Sequence, residues 1–149
     1  MDKPAVLKTL NRIMELELAG VVRYTHYALM VYGYGRIPIV DWLRTQAAES
    51  LTHAQQAGEL VTWLGGHPSL GIGGLLESHR HDIGDILRES LAHERKTLDL
   101  YQELLAMVEG KNVMLEEYAR EHIYLEELHV GEVDKMLRKP GDVAAFSEE

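Results

Sequence analysis

The stretch LEELHVGEV, residues 125–133, places a carboxylate and an imidazole on one side of a helical segment. Glu126 and His129 lie three residues apart, and residues with that spacing share one face of an α-helix. Apolar residues recur with the same spacing along the segment, which predicts that this face is buried. A helix that points a Glu and a His into an apolar core needs partners for them from the neighbouring helices.

Four long helical segments are predicted, and no part of the chain has the pattern of a strand. The loops between the first two and the last two are short, whereas GGHPSLGIGGLLESHRH, residues 65–81, is long enough to run the length of a bundle. We therefore predict an all-α antiparallel four-helix bundle over residues 1–139, with one long crossover and a short polar tail at 140–149. The segments run from about Ala5 to Tyr32, Pro38 to Leu64, Asp82 to Glu109, and Asn112 to Arg138.

Composition narrows the functional classes. The chain has 149 residues, enough for one domain with a sizeable core. Its net charge of −9 makes a nucleic-acid partner unlikely to fit, and it has no uninterrupted apolar run that would span a membrane. The absence of cysteine excludes disulfides, iron–sulfur clusters, rubredoxin-type iron and thiol catalysis. No signal peptide is recognised at the N-terminus, so a cytoplasmic location is expected.

The two halves of the chain repeat one polar pattern. In the first helix of each half a Glu is followed seven residues later by a Tyr, as Glu17 by Tyr24 and Glu94 by Tyr101. Seven residues are about two helical turns, so each Tyr lies above its Glu on the same face. A tyrosine hydroxyl at such a position either finds a partner within the core or hydrogen-bonds a metal-bound Glu, and both roles stay open.

The second helix of each half continues the pattern with a Glu and a His. Glu49 and Glu126 each follow the first Glu of their half by 32 residues. His129 follows Glu126 by three residues, and His53 follows Glu49 by four. Both spacings lie on the His face, so Glu49 can point inward, and we expect it to be a ligand. The alternative is a solvated Glu49 and a site with only three carboxylates.

Several carboxylates facing one another in an apolar core would repel and would lose their hydration. Two divalent cations would neutralise four Glu side chains, and mixed carboxylate and imidazole ligands suit iron or manganese. In one known arrangement of dimetal helix bundles, two helices each supply one Glu ligand. The other two helices each supply a Glu and a His. The expected metal ligands are Glu17, Glu49, His53, Glu94, Glu126 and His129, with His122 as a further ligand or a hydrogen-bonded core residue.

The remaining histidines carry weaker signals. His26 faces away from Glu17 along its helix, which predicts a surface or interface position. His67, His79 and His81 fall in the crossover, where a solvated loop is favoured over a loose metal site.

Five pieces of the sequence, taken in order, resemble the bacterioferritins and their short ferritin-like relatives. They are LNRIMELELAGVVRYTHYALM at 10–30, ESLTHA at 49–54, LGGHPSL at 64–70, LRESLAHE at 87–94 and EELH at 126–129. The resemblance implies a ferritin-like fold and a dinuclear iron centre. By position the ligands implied by the family are Glu17, His53, Glu94, Glu126 and His129. Its second bridging Glu falls on Ser50, which leaves Glu49 as the nearest substitute.

Two departures from the family limit what the resemblance implies. The methionine that ligates haem in bacterioferritin is replaced by Leu51, so haem is not expected. The sequence KPGDVAAFSEE, residues 139–149, is too short and polar for the fifth helix of the family. A homodimer that buries one face of the first two helices is therefore expected, and a larger storage shell stays open.

The leading functional hypothesis is a ferroxidase-type oxidoreductase that binds two iron ions and oxidises Fe(II) with dioxygen or hydrogen peroxide. Iron storage or detoxification would follow, with Glu17, Glu94, Tyr24 and Tyr101 in catalytic roles. A dimanganese or di-iron enzyme that scavenges peroxide without storage is the second hypothesis. The third is a non-enzymatic helical interaction module whose polar core residues hydrogen-bond one another.

Overall fold

The computed structural model describes residues 1–75 and 78–146, and within these ranges every regular element is a helix. The predicted four-helix architecture is confirmed, with helix ends within about two residues of those expected. None of the helices in the described ranges combines the length and apolar character needed to cross a bilayer. The helices are α1 (Lys3–Met30), α2 (Arg36–Trp63), α3 (Ile83–Val108) and α4 (Val113–Leu137).

Polar side chains at the helix ends explain where the helices start. The Asp2 carboxylate accepts a hydrogen bond from the backbone N–H of Ala5 at 3.2 Å, which satisfies a free donor of the first turn of α1. The Asn112 side chain, at the start of α4, accepts a hydrogen bond from the backbone N–H of Leu115 at 3.0 Å. Gly110 has a φ of 72°, a left-handed conformation that glycine adopts without strain, and this allows the tight turn between α3 and α4.

α1 packs against α2 and α3, and α3 packs against α4. Contacts between α1 and α3 run in opposite chain directions: Arg12 meets Glu103 at 3.2 Å, and farther along α1 Tyr24 meets Glu94. Two apolar clusters fill the bundle on either side of its middle, and the polar residues lie between them. One cluster includes Leu10, Ile13, Leu104 and Leu115, and the other includes Tyr27, Val31, Leu43 and Ile86.

The crossover between α2 and α3 follows α1 along the bundle. Near its start, the backbone N–H of Ser69 donates to the Asn11 side chain at 2.8 Å. Farther on, the Arg23 guanidinium donates to the Gly74 carbonyl at 2.9 Å. Asn11 and Arg23 lie about three turns apart on α1, so this connection brings the chain back to the opposite end of the bundle. α2 and α3 therefore run parallel, as the long crossover predicted.

The described part of the C-terminal tail folds back onto α4. The backbone N–H of Phe146 donates to the Asp134 carboxylate at 2.7 Å, and the Phe146 side chain packs against a cluster that contains Leu91 and Val133. Arg138 donates to the carbonyl of Val143 at 2.9 Å. The polar tail was predicted at 140–149, of which residues 147–149 lie outside the described ranges.

Candidate metal centre

Three carboxylates from three helices meet in the middle of the bundle. Glu17 on α1, Glu94 on α3 and Glu126 on α4 are 4%, 5% and 4% exposed, respectively. His53 on α2 places its Nδ1 atom 3.6 Å from Glu17 Oε1 and 4.0 Å from Glu126 Oε1. His129 on α4 places its Nε2 atom 3.7 Å from Glu94 Oε1. The sequence pattern on four separate helices therefore converges on one place.

The two tyrosines exchange partners between the halves of the bundle. The Tyr101 hydroxyl on α3 donates to Glu17 Oε1 on α1 at 3.0 Å. The Tyr24 hydroxyl on α1 donates to Glu94 on α3 and also lies 3.2 Å from His129 Nε2. Each hydroxyl thus holds a Glu of the opposite helix, because α1 and α3 are antiparallel and each Tyr faces the other helix's Glu.

The three carboxyl groups differ in their preference for a proton. Burial raises the pKa of Glu126 well above its usual range, and the nearby Glu94 and Glu17 raise it further. The pKa of Glu17 is also raised, mainly by burial, against the lowering effect of its hydrogen bond with His53. Burial acts to raise the pKa of Glu94 too, but hydrogen bonding with Glu126 and the charge of His129 lower it overall. Without a cation, Glu126 is the carboxyl group that keeps its proton most strongly.

The pKa values of His53 and His122 are shifted in opposite directions. Burial acts to lower the pKa of His53, but the hydrogen bond and charge of Glu17 outweigh it, and the pKa is raised. Burial lowers the pKa of His122 to about 4, so this imidazole is neutral. The His122 ring stacks on Tyr101 with centroids 4.9 Å apart and meets His53 edge-on at 4.7 Å. His122 therefore packs behind His53 and Tyr101, and its buried Nδ1 atom has no hydrogen-bond partner among the described residues.

The α2 residues next to His53 divide between the core and the surface. Ser50 is buried, whereas Glu49 is exposed and lines the mouth of the site. The negative charge of Glu49 still acts on His53. Ser50 fits closely against Gly20 of α1, where an added Cβ would lie 2.9 Å from Ser50 Oγ and 3.3 Å from the buried His93.

One residue of the site was missed by the sequence analysis. The Trp42 ring stacks on His129 with centroids 5.6 Å apart and planes 7° apart. It also meets Tyr24 edge-on at 6.5 Å. A large aromatic residue eleven positions before His53, about three turns away, is the signal that would have found it.

A cavity of about 420 Å³ opens between α2 and α4 and leads to the carboxylates. α2 and α4 pack less closely than the other neighbouring helices. Four carboxylates and two imidazoles line this cavity together with Ser50, so its wall is rich in oxygen donors. The lining residues that carry these groups are Glu49, His53, Glu94, Glu126, His129 and Glu132.

The donor set fits a divalent cation. Glu17, His53 and Glu126 each offer one ligand atom, and these atoms lie within 4.8 Å of one another. Glu126 Oε2 is buried and has no hydrogen-bond partner among the described residues. An unpaired buried carboxylate oxygen is costly, and a bound cation would remove that cost.

The histidines outside this group occupy other places. His67 is exposed in the crossover. His26, predicted at the surface or in an interface, is half-buried, and its ring lies 5.5 Å from that of His81. His79 is exposed, and its ring lies 6.5 Å from that of His81.

Comparison with known proteins agrees with this architecture. A ferritin-like diiron-carboxylate protein from Bacillus anthracis str. Ames superposes on the chain with a TM-score of 0.84 at 22% sequence identity. The alignment covers 93% of this chain and 99% of that one, and a likeness at this identity establishes the fold. No curated protein matched the chain by sequence. The ferritin-like domain family matches residues 7–140, so the chain belongs to the ferritin-like family.

Proposed function

We propose that the chain binds two iron ions between its four helices and oxidises Fe(II) with dioxygen or hydrogen peroxide, in iron storage or detoxification. The observation that carries the proposal is that three buried carboxylates and two imidazoles meet in the middle of the bundle, beside a cavity that Glu94 and Glu126 line. Iron bound there would supply one-electron redox chemistry between Fe(II) and Fe(III).

The side chains divide into two groups that share Glu126. Glu17, His53 and Glu126 would hold one ion, since their ligand atoms already lie within 4.8 Å of one another. Glu94 and His129 would hold the other, with Glu126 shared between the two. The neutralisation of Glu126 by cations would replace the proton that its raised pKa favours.

The tyrosines would act on the ligands. Tyr101 donates to Glu17 Oε1, and Tyr24 donates to Glu94. Each hydrogen bond fixes one carboxylate oxygen, and the same oxygen lies 3.6 Å from His53 in Glu17 and 3.7 Å from His129 in Glu94. Trp42 would hold the His129 ring in place by stacking on it.

The proposed reaction balances with iron as the electron donor. Two Fe(II) ions give up one electron each, and one dioxygen takes up two electrons and two protons to form hydrogen peroxide. Alternatively, one hydrogen peroxide takes up two electrons and two protons to form two waters. Paired binding positions matter because one oxidant can then receive both electrons at one place.

We propose Glu49 as the residue that passes cations inward and completes the second group. It is exposed and lines the cavity opposite Glu132 of α4, and its charge raises the pKa of His53. Negative charge at the mouth of a cleft raises the local concentration of cations. Ser50 is too short to take the place of a Glu ligand.

We also propose that the protein forms a homodimer through α1 and α2, in the cytoplasm. Leu29 on α1 is 60% exposed, and Leu51 on α2 is 43% exposed. These apolar side chains would be covered by the same face of a second copy. Light scattering coupled to size-exclusion chromatography measures the mass and separates a dimer from a larger shell.

The decisive experiment measures metal content and oxidation together. Chelator-treated protein is loaded with Fe(II) without oxygen, and the bound iron is counted per chain. Oxygen or peroxide is then added, and the formation of Fe(III) is followed by absorbance. We expect two irons per chain in the wild type and at most one in Glu94→Gln and Glu126→Gln. Glu127→Gln is the matched control, because Glu127 is exposed on the same helix.

Each alternative function has its own result in this experiment. Stoichiometric iron without faster oxidation than in the absence of protein would refute the ferroxidase proposal. Peroxide breakdown by the manganese-loaded protein alone would favour a dimanganese enzyme. If neither metal binds in a fixed ratio, the non-enzymatic interaction module is the better interpretation.

A further inference from the structure

Three histidines come together outside the metal centre, on the side of α1 that faces the crossover. His26 belongs to α1, and His79 and His81 belong to the last part of the crossover. The ring centroids of His26 and His81 lie 5.5 Å apart with planes at 67°. Those of His79 and His81 lie 6.5 Å apart with planes at 71°. None of the three lines the cavity that leads to the buried carboxylates.

These separations are close to those that a shared metal ion requires. With metal–nitrogen distances of about 2.0–2.1 Å, ring centroids lie about 3.2 Å from the ion and about 5 Å from each other in tetrahedral geometry. The His26–His81 pair is already near that value. The ligand atoms of all three do not yet lie within 4.8 Å of one another, as those of the core group do. His79 is exposed, so its side chain can change rotamer and bring the imidazole to an ion held by His26 and His81.

The surroundings leave room for an ion, and a carboxylate offsets the positive charge of the nearby Arg23. A cavity of about 210 Å³ is lined by His26, His79 and the Arg23 side chain, among others. The Arg23 guanidinium is already held by the Gly74 carbonyl at 2.9 Å and lies 3.8 Å from Glu89 Oε1. The other Glu89 oxygen is buried and makes no hydrogen bond to any described residue. Glu89 thus offsets the charge of Arg23, and its free oxygen is an additional oxygen donor near this end of the crossover.

One histidine of the crossover has an unusual backbone conformation. His79 has a φ of 59°, in the left-handed region that residues other than glycine rarely adopt. Next to it, the backbone N–H of Ser78 donates to Glu89 Oε1 at 3.2 Å. A strained residue beside a cluster of side chains is typical of ligand-binding segments.

We propose that His26, His79 and His81 form a second metal site, which binds Zn²⁺ with water in the remaining coordination position. Three imidazoles without a required carboxylate make a softer donor set than the oxygen-rich centre of the bundle. Zinc accepts three histidine ligands with an open fourth position, whereas manganese prefers oxygen donors. The two sites therefore select different metals, and this proposal does not depend on the proposed iron chemistry.

A zinc ion at this site ties the crossover to α1. His26 is fixed on a helix, whereas His79 and His81 lie in a segment without regular structure. The earlier part of the crossover is already attached to α1 by hydrogen bonds at Asn11 and Arg23. A bound ion adds a third attachment nearer to α3, which makes local opening of the crossover less frequent.

The test measures zinc stoichiometry and affinity in four proteins: the wild type, His26→Ala, His81→Gln and His67→Ala. His67→Ala removes an imidazole from the same crossover but from outside the cluster, so it is the matched control. Chelator-treated protein is titrated with ZnCl₂ by calorimetry, and bound zinc is counted after desalting. Circular dichroism reports helicity, and limited proteolysis with and without zinc reports opening of the crossover.

We expect His26→Ala and His81→Gln to lose one zinc per chain or to bind it at least tenfold more weakly, while His67→Ala matches the wild type. Zinc should slow cleavage of the crossover in the wild type and in His67→Ala alone. The iron stoichiometry of the core should be the same in all four proteins. Equal zinc counts and affinities in all four would overturn the proposal, as would zinc protection that survives both cluster substitutions. His81→Gln lies outside the helices, so it decides the matter if His26→Ala loses helicity.

Discussion

Replacement of Glu126 by Gln should make the metal-free protein more stable and the metal-loaded protein less stable. Glu126 is 4% exposed, and its Oε2 atom has no hydrogen-bond partner among the described residues. Gln has nearly the same shape and carries no charge. In the metal-free core the substitution therefore removes a carboxyl group that must either carry a buried charge or hold a proton above its usual pKa. In the metal-loaded core it removes a ligand.

The magnitude follows from the spacing of the carboxylates. Ligand atoms of Glu17 and Glu126 lie within 4.8 Å of each other. Two full charges at that separation repel by about 3.5 kcal/mol in an effective dielectric of about 20. Protonation already relieves part of this, as the raised pKa of Glu126 indicates. A net gain of about 1–3 kcal/mol in the free energy of unfolding is expected, or roughly 3–10 °C in melting temperature for a domain of this size.

Calorimetric melting measures both stabilities. The metal-free protein is melted with chelator, and the metal-loaded protein is melted with manganese or with iron under nitrogen. A ligand at a hundred times its dissociation constant stabilises the folded state by about 2.7 kcal/mol, and the variant should lose most of that gain. The order of the two melting temperatures should therefore reverse when metal is added. Glu127→Gln controls for the loss of a charge from α4. The reasoning fails if metal-free Glu126→Gln melts at or below the wild type, or if its response to metal equals that of the control.

Three further substitutions test other parts of the structure. Asp134→Asn should make the stability of the protein fall less steeply in acid. A hydrogen bond from an Arg is the main cause that lowers the pKa of Asp134 from 3.8. The ionised Asp134 therefore stabilises the folded state above pH 3.8, and this stabilisation is lost as the pH falls through the lower folded pKa. Thermal melts between about pH 2 and pH 6 measure this. Tyr101→Phe should lower the stability of the metal-free protein by about 1–2 kcal/mol in urea, because a buried carboxylate loses its donor, whereas the exposed Tyr32→Phe should not. Gly20→Ala should cost about 1–3 kcal/mol, because its Cβ would lie 2.9 Å from Ser50 Oγ, and Ser50→Ala in the same chain should restore most of it; equal stability of both glycine variants would contradict this.

The helices and their order could be predicted because each depends on information local to the sequence. The apolar stripes have helical spacing, and Asn112 ends a loop as an N-cap should. The crossover could be predicted from its length alone, since a segment that long between two helices can reverse the expected direction of the second. These features require no knowledge of which side chain touches which.

Which side chains contact each other in the candidate site depends on how one helix is aligned against another. Spacing along a single helix does not contain that information. Spacing predicted that Tyr24 lies above Glu17, yet its hydroxyl donates to Glu94 of α3. Spacing also could not show whether Glu49 or Ser50 points into the core, because neighbouring residues differ by about 100° around the helix. A small rotation of α2 decides which of them is buried, and the structure buries Ser50.

The loose contact between α2 and α4 connects the fold to the proposed chemistry. α1 packs on two neighbours and α3 on two, but the described parts of α2 and α4 face each other across the cavity that leads to the carboxylates. His53 comes from one side of this gap, and Glu126 and His129 come from the other. A cation bound to both sides would supply the attachment that side-chain packing leaves out there. The gap that admits ions is thus also the gap that they would close, so metal binding and the stability of this side of the bundle should rise and fall together.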